Sequence, residues 1–280
     1  MSNNPRHLLQ QHGLKPKKEW GQNFLVEPNI TKRIVELLEA QKDDRVVEFG
    51  AGTGALTKLL SERSDHVFAV ERDRDMIGVL EEVYAKVPSV EVIAADAAKF
   101  DLNDVPGEGP LLVIGNLPYQ ISSPILFQIL EQRKLVKRAV LMIQKEVADR
   151  LSATPKDGKD YSILSIRFGA YFDVKQAISV SRGCFFPRPK VESAVITLQP
   201  LETPRVPDEL EPWFAKAVKI AFASRRKTLA NNLKSGFRDI PKARIPELLE
   251  ELGLDPKCRG ENLTIEEFAT LAKALQKETN

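Results

Sequence analysis

Cysteine is nearly absent from this chain, with only Cys184 and Cys258 in 280 residues. The two lack metal-ligand spacing, and His7, His12 and His66 form no cluster, so neither a disulfide framework nor a zinc site is expected. Apolar runs are short as well. None approaches the roughly 20 residues that span a bilayer, and the opening "MSNNPRHLLQQHGLKPKKEW" holds no uninterrupted apolar segment of the signal-peptide kind. A cytoplasmic protein is expected. Net charge is only +2, which argues for no partner by itself, and no internal repeat is apparent.

What is present is a 42% hydrophobic composition, enough to bury a core, and an uneven placement of charge. Between Trp213 and Arg244 nine Lys or Arg stand against one acid, Asp239, which marks a local anion-binding candidate. From Arg45 to about Ile143, "RVVEFG", "HVFAVE", "VEVIAAD", "LLVIGN" and "RAVLMIQ" read as strands, with amphipathic segments such as "GALTKLLSER" and "RDMIGVLEEVYAK" between them. That alternation predicts βαβ units and a parallel sheet covered on both faces. "FDVKQAISV" and "ESAVITLQP" predict an antiparallel strand pair at one edge, joined by a loop, "SRGCFFPRPK". After the proline-rich "QPLETPRVPDELEP" the pattern is helical, with "WFAKAVKIAFASRRKTLANNLKSG" read as one long helix. The expected division is an α/β domain over 1–200 and a small helical domain over 207–280.

"VVEFGAGTGALT" places Gly50, Gly52 and Gly54 between a strand and a helix, where missing side chains let a ligand approach the backbone. A dinucleotide turn spaces its third glycine one position later, so a nucleoside is the better fit. Glu71 and Asp96 end the next two strands. There Glu71 is placed to accept ribose hydroxyls and Asp96 an adenine amino group, because open α/β sheets bind ligands at strand carboxyl ends.

Asn116, Pro118 and Tyr119 terminate the fourth strand, in "LLVIGNLPYQISSPILFQIL". An exocyclic adenine amine is a poor nucleophile, since its lone pair is delocalised. Acceptors for its two hydrogens orient it and stabilise the positive charge that appears as a methyl group arrives. Asn116 offers a side-chain oxygen, and the rigid Pro118 turn a main-chain carbonyl. Tyr119 can stack on the base, with Phe185 or Phe186 as a second wall.

Together "GQNFL", "EFGAGTGALT", "ERD", "AAD", "NLPYQISSPIL", "FFPRPKVESAV" and "ASRRKTLANNL" make the chain resemble the ribosomal RNA adenine dimethyltransferases of the small-subunit type, from about Gly21 through "RGENLTIEEFATLA". The resemblance implies a class I, Rossmann-like methyltransferase sheet with a helical C-terminal domain and S-adenosylmethionine as donor. It implies N6,N6-dimethylation of two adjacent adenines near the 3′ end of 16S rRNA in the small ribosomal subunit. By motif, it implies cofactor contacts at Asn23, Leu25, Gly50, Glu71, Asp96 and Asn116, and it selects Phe185 over Phe186 as the aromatic wall. It also turns the basic segment toward RNA. On one helix Arg225, Arg226 and Lys227 would fan over about 200°, so one is expected to brace a domain interface or the chain's own carbonyls while others reach phosphates. A monomer without metal is expected. The chain departs from the family at Glu19 and Trp20, where a more basic stretch is usual, and at Gln120. The alternatives are the large-subunit dimethyltransferases of macrolide resistance, a non-catalytic ribosome-assembly factor on the same fold and, more distantly, a nucleotide-dependent oxidoreductase.

Overall fold

A computed structural model describes residues 5–17 and 20–279. They divide into two compact units, one running to Ala148 and including Lys175–Pro200, the other comprising Asp149–Val174 and the residues from Leu201 onward. This differs from the division at residue 200 in where it puts 149–174. The reason is visible at Glu211, whose carboxylate takes the Arg167 guanidinium and the Tyr171 hydroxyl, both at 2.5 Å.

In the first unit β2 (Arg45–Phe49), β3 (His66–Glu71), β4 (Val90–Ala94), β5 (Leu111–Asn116) and β6 (Val136–Gln144) are the five expected strands. With β7 (Phe172–Val180) and β9 (Ser193–Pro200) they form one sheet of order β4-β3-β2-β5-β6-β9-β7. Pairing is parallel from β4 to β6, and β9 runs antiparallel to β6. Every residue of β2 except Arg45 is buried, as expected of a strand covered on both faces. The chain leaves β2 toward β3 and β4, then returns to place β5 on β2's other side. A crevice therefore opens at the carboxyl ends of β2 and β5, the switch point of the sheet.

Two local features shape that crevice. Helix α3 (Ala55–Ser61) starts after Gly54, which has φ +77°. A Cβ there would lie 2.8 Å from the hydroxyl of Tyr84, the last residue of α4 (Arg74–Tyr84), so both backbone sign and space demand glycine. The second feature corrects the loop expected at "SRGCFFPRPK". Within it β8 (Phe185–Phe186) pairs antiparallel with β1 (Phe24–Leu25) as a separate two-stranded sheet. Leu25 and Phe185 enter a core with Ile34, Val46, Leu112, Ile114, Val140 and Val195, each such side chain stabilising by roughly 1.5–3 kcal/mol.

The second unit is helical, with α7 (Ile163–Gly169), α8 (Glu211–Ala221), α9 (Leu229–Gly236), α10 (Arg244–Glu251) and α11 (Ile265–Thr279). The single long helix expected from Trp213 is in fact two. Helix α8 ends at Ala221, and α9 begins after Thr228, whose hydroxyl accepts from the Asn231 N–H at 3.3 Å. Asn232, 3% exposed, stabilises the break by donating its amide to the carbonyls of Ala221 (2.8 Å) and Ser224 (3.0 Å). The buried face of α8 is Phe214, Ala217, Val218 and Ala221, which leaves Trp213 and Ile220 half-buried beside it. Trp213 stacks on Phe237, its ring 6.4 Å away.

Candidate active site

The crevice of the first unit is a cavity lined by the glycine turn, Glu48, Glu71, the segment Asn116–Tyr119 and residues 20–25. Gly50 (φ +73°) donates its N–H to the Val70 carbonyl at 2.9 Å. A Cβ on Gly50 would sit 3.8 Å from both the Asn116 carbonyl oxygen and Pro118 Cδ, within the cleft between the two turns. Gly52 (φ +56°) donates its N–H to Glu71 Oε2 at 2.9 Å.

Glu71 is 8% exposed, and its Oε1 accepts from the N–H groups of Arg72 (2.8 Å) and Asp73 (2.9 Å). With Gly52, three backbone donors occupy the roughly four acceptor positions of a carboxylate, leaving one on Oε2. Asp96 does not itself line the cavity, although Ala95 and Ala97 do. Its Oδ1 accepts from the Ala98 N–H at 3.0 Å, and its Oδ2 lies 3.6 Å from Arg72.

Asn116 ends β5 with its amide fixed. Nδ2 donates to the Asn23 carbonyl at 2.9 Å, which leaves Oδ1 as an acceptor with no partner among the described residues. The Pro118 carbonyl is already taken by the Ile121 N–H at 3.1 Å, so the main-chain acceptor left beside Asn116 is that of Leu117. Tyr119 is held by Ser193 Oγ at 2.6 Å, and burial, partly offset by that bond, pushes its phenol up from the usual range. Asn23 and Leu25 both line the cavity. Phe185 does not. It is 2% exposed in the core, because alternation along β8 turns it the opposite way from Phe186. The ring expected as a second wall is therefore not available at Phe185.

A network at the rim was not anticipated. Lys17 reaches Asp73 Oδ1 (2.6 Å) and Asp75 (2.7 Å), and Gln22 Nε2 reaches Asp73 Oδ2 (2.6 Å). These carboxylates, Asp73 foremost, raise the Lys17 pKa above its ordinary value. Trp20, a cavity residue, has the Lys17 ammonium 4.9 Å and the Arg72 guanidinium 4.7 Å from its ring centre. The signal was the "ERD" block, read for Glu71 alone. Glu19 lies outside the described residues.

In the second unit the consecutive cations separate by role. Arg225 donates to the carbonyls of Lys159 (2.7 Å) and Tyr161 (3.1 Å) and to Glu261 (3.2 Å), the carbonyl brace expected of one of the three. They sit in the turn between α8 and α9 rather than on a helix, so the turn and not a 100° step separates them. Arg226 and Lys227 are exposed with no side-chain partner among the described residues. Lys227 also lines a groove with Asn231, Lys234, Ser235, Arg238 and Lys242, which contains no acid.

The model of the family described as ribosomal RNA adenine dimethylase matches residues 13–277. Proteins named ribosomal RNA small subunit methyltransferase A are 43% identical in Syntrophus aciditrophicus and 44% in Myxococcus xanthus. They cover 96% and 97% of this chain, and 98% and 95% of their own length is matched. A solved dimethyladenosine transferase from Plasmodium falciparum superposes with a TM-score of 0.77 at 29% identity, over 90% of this chain and 97% of that one. The 23S rRNA methyltransferase ErmE superposes at 0.69 with 26% identity, over 90% and 99%. The fold is that of the class I methyltransferases with a helical C-terminal region, and the chain belongs to the ribosomal RNA adenine dimethylase family.

Proposed function

We propose that the protein uses S-adenosylmethionine to dimethylate N6 of two adjacent adenines near the 3′ end of 16S rRNA. The observation that carries this reading is the Asn116 amide, pinned through its nitrogen by the Asn23 carbonyl with its oxygen left free at a cavity wall. An acceptor so fixed suits an amine that must be oriented rather than deprotonated in advance.

The cavity fits the cofactor in shape and in donor set. The cleft at Gly50 is one that a Cβ would fill, and Gly50 and Gly52 keep the backbone open to a ligand. Glu71 retains one acceptor position for a ribose hydroxyl. Asn23 and Leu25 form part of the wall, and Asp96, beside the wall residues Ala95 and Ala97, would accept from an adenine amino group. When bound, S-adenosylmethionine supplies an electrophilic methyl group.

The chain's own task is then positioning. Asn116 Oδ1 and the Leu117 carbonyl accept the two N6 hydrogens and stabilise the charge that develops on nitrogen. Pro118 keeps that carbonyl on a rigid turn. Tyr119, its hydroxyl tethered to Ser193, presents a ring for stacking worth roughly 1–3 kcal/mol, comparable to the cost of drawing a base from its stack. The methylated nitrogen is acidic and loses its proton to water, so no strong base is required.

For RNA, Arg226, Lys227 and the groove cations Lys234, Arg238 and Lys242 are the phosphate contacts, while Arg225 holds the turn that presents them. The "small subunit" in the relatives' names supports that particle as the substrate. The reading includes a monomer acting in the cytoplasm. No helix among the described residues is long and apolar enough to cross a membrane.

The test is labelled methyl transfer to isolated small and large subunits, followed by nucleoside mapping. The expected product is N6,N6-dimethyladenosine at two neighbouring positions of 16S rRNA. Label confined to the large subunit, or no transfer, overturns the reading.

A further inference from the structure

Glu48 is a buried ionisable group of the cavity that the chemistry above leaves without a task. It belongs to β2 and is 1% exposed, yet it lines the cavity. Thr57 of α3 donates to its Oε2 at 2.6 Å, and its Oε1 receives no hydrogen bond from a described residue. The ionisable groups facing it are Glu71 from β3 and Tyr84 from α4, and neither is a cation. Tyr84 donates to the Gly54 carbonyl at 3.0 Å, and burial keeps its phenol neutral. Glu71 has three backbone donors to stabilise its charge, whereas Glu48 has a single hydroxyl and a negative neighbour. Burial first, opposed by Thr57 and reinforced by Glu71, pushes Glu48 up to about 8.

The one cation lining the same cavity among the described residues, Arg72, has its guanidinium over Trp20 and beside Asp96 rather than on Glu48, so two carboxylates face the cavity in a setting that fits an incoming cation. Resting on the cofactor reading above, we propose that Glu48 is a charge sensor: it gives up its proton when the sulfonium form of the cofactor enters and regains one once the positive charge has gone. In the transfer, the sulfur–methyl bond breaks with its electron pair left on sulfur, and the N6 lone pair forms the new bond. The charge passes to N6, which loses a proton to water. Glu48 exchanges its own proton with water in both directions and takes no part in bond making. The consequence is that protons compete with S-adenosylmethionine but not with the neutral thioether S-adenosylhomocysteine, so the preference for cofactor over product falls as pH drops below the Glu48 pKa.

The experiment is titration calorimetry of the full chain with each ligand, from about pH 6.5 to about pH 8.5, in two buffers of different ionisation enthalpy. Both ligands carry the same α-amino group, so their difference isolates the sulfonium. The expected result is a cofactor-to-product affinity ratio that rises about tenfold or more across this range, with extra proton release for the cofactor. Glu48→Gln should flatten the ratio. Thr57→Val removes the bond that favours the charged form and should move the midpoint upward, which decides the matter if Glu48→Gln fails to fold. A wild-type ratio flat within about twofold, or an unmoved midpoint in Thr57→Val, overturns the sensor while leaving the cofactor site standing. Absence of binding by either ligand at every pH overturns the cofactor reading and the sensor with it.

Discussion

In the first unit the Asp73 carboxylate is wholly buried, and both its oxygens are taken, by Lys17 and the Asp75 N–H on one side and by Gln22 on the other. In the second unit Lys227, Lys234, Arg238 and Lys242 share a groove with no acid, and none has a side-chain partner among the described residues. The contrast is not a general property of the helical unit. Arg167, Arg205, Arg244 and Arg259 there all face glutamates within 4 Å. Charges answered individually at short range suit a small ligand whose every atom has a place. Unanswered like charges repel one another until a polyanion supplies the missing sign, and they suit a partner recognised by its backbone.

The sharpest way to break the comparison is at Asn116. Asn116→Ala should lower single-turnover methyl transfer by about 10²-fold or more while changing RNA affinity little. Near-normal turnover at saturating RNA and cofactor would remove the amide from the chemistry. Next comes Glu71→Ala, expected to weaken S-adenosylmethionine binding by about 1.5–3 kcal/mol. Because Glu71 also anchors three backbone N–H groups, its melting temperature should fall as well. Unchanged calorimetric affinity in a folded variant would exclude it from the site.

A smaller effect is expected in the groove. Lys234→Ala or Arg238→Ala should each reduce the salt slope of subunit binding by about one contact and leave cofactor affinity intact. The smallest change is reserved for the arginine that braces the turn between α8 and α9. Arg225→Ala should cost about 1 kcal/mol of stability through its lost carbonyl bonds, with the salt slope preserved. A slope reduced as much as in Arg238→Ala, without loss of stability, would move Arg225 from brace to contact.

The parallel sheet was readable because β2 to β6 are apolar runs punctuated by glycine and helical periodicity, a local signal. The place of Asn116 at the cavity wall was readable because it closes such a run, and ligand crevices open at strand carboxyl ends. The break between α8 and α9 was hidden by good helix formers. What enforces it is Thr228 as a cap and Asn232 reaching back to Ala221, a tertiary bond that propensity does not register. Phe185 failed for a different reason. Motif register identifies a residue but not its facing, and in a two-residue strand a shift of one exchanges core for surface. Residues 149–174 followed the same logic, since their assignment depends on Glu211, far along the chain.

The bond between Asn116 and Asn23 joins positions 93 residues apart. Because the carbonyl that sets the amide belongs to the segment entering β1, the amide acquires its orientation only once that early segment has docked. Trimming the chain ahead of β8's partner would therefore let the amide swing between two flips, and it would also strip Lys17 and Gln22 from the buried Asp73 carboxylate. Such a truncation should lower turnover and stability together, and amide nitrogen NMR of Asn116 would show the broadened pair.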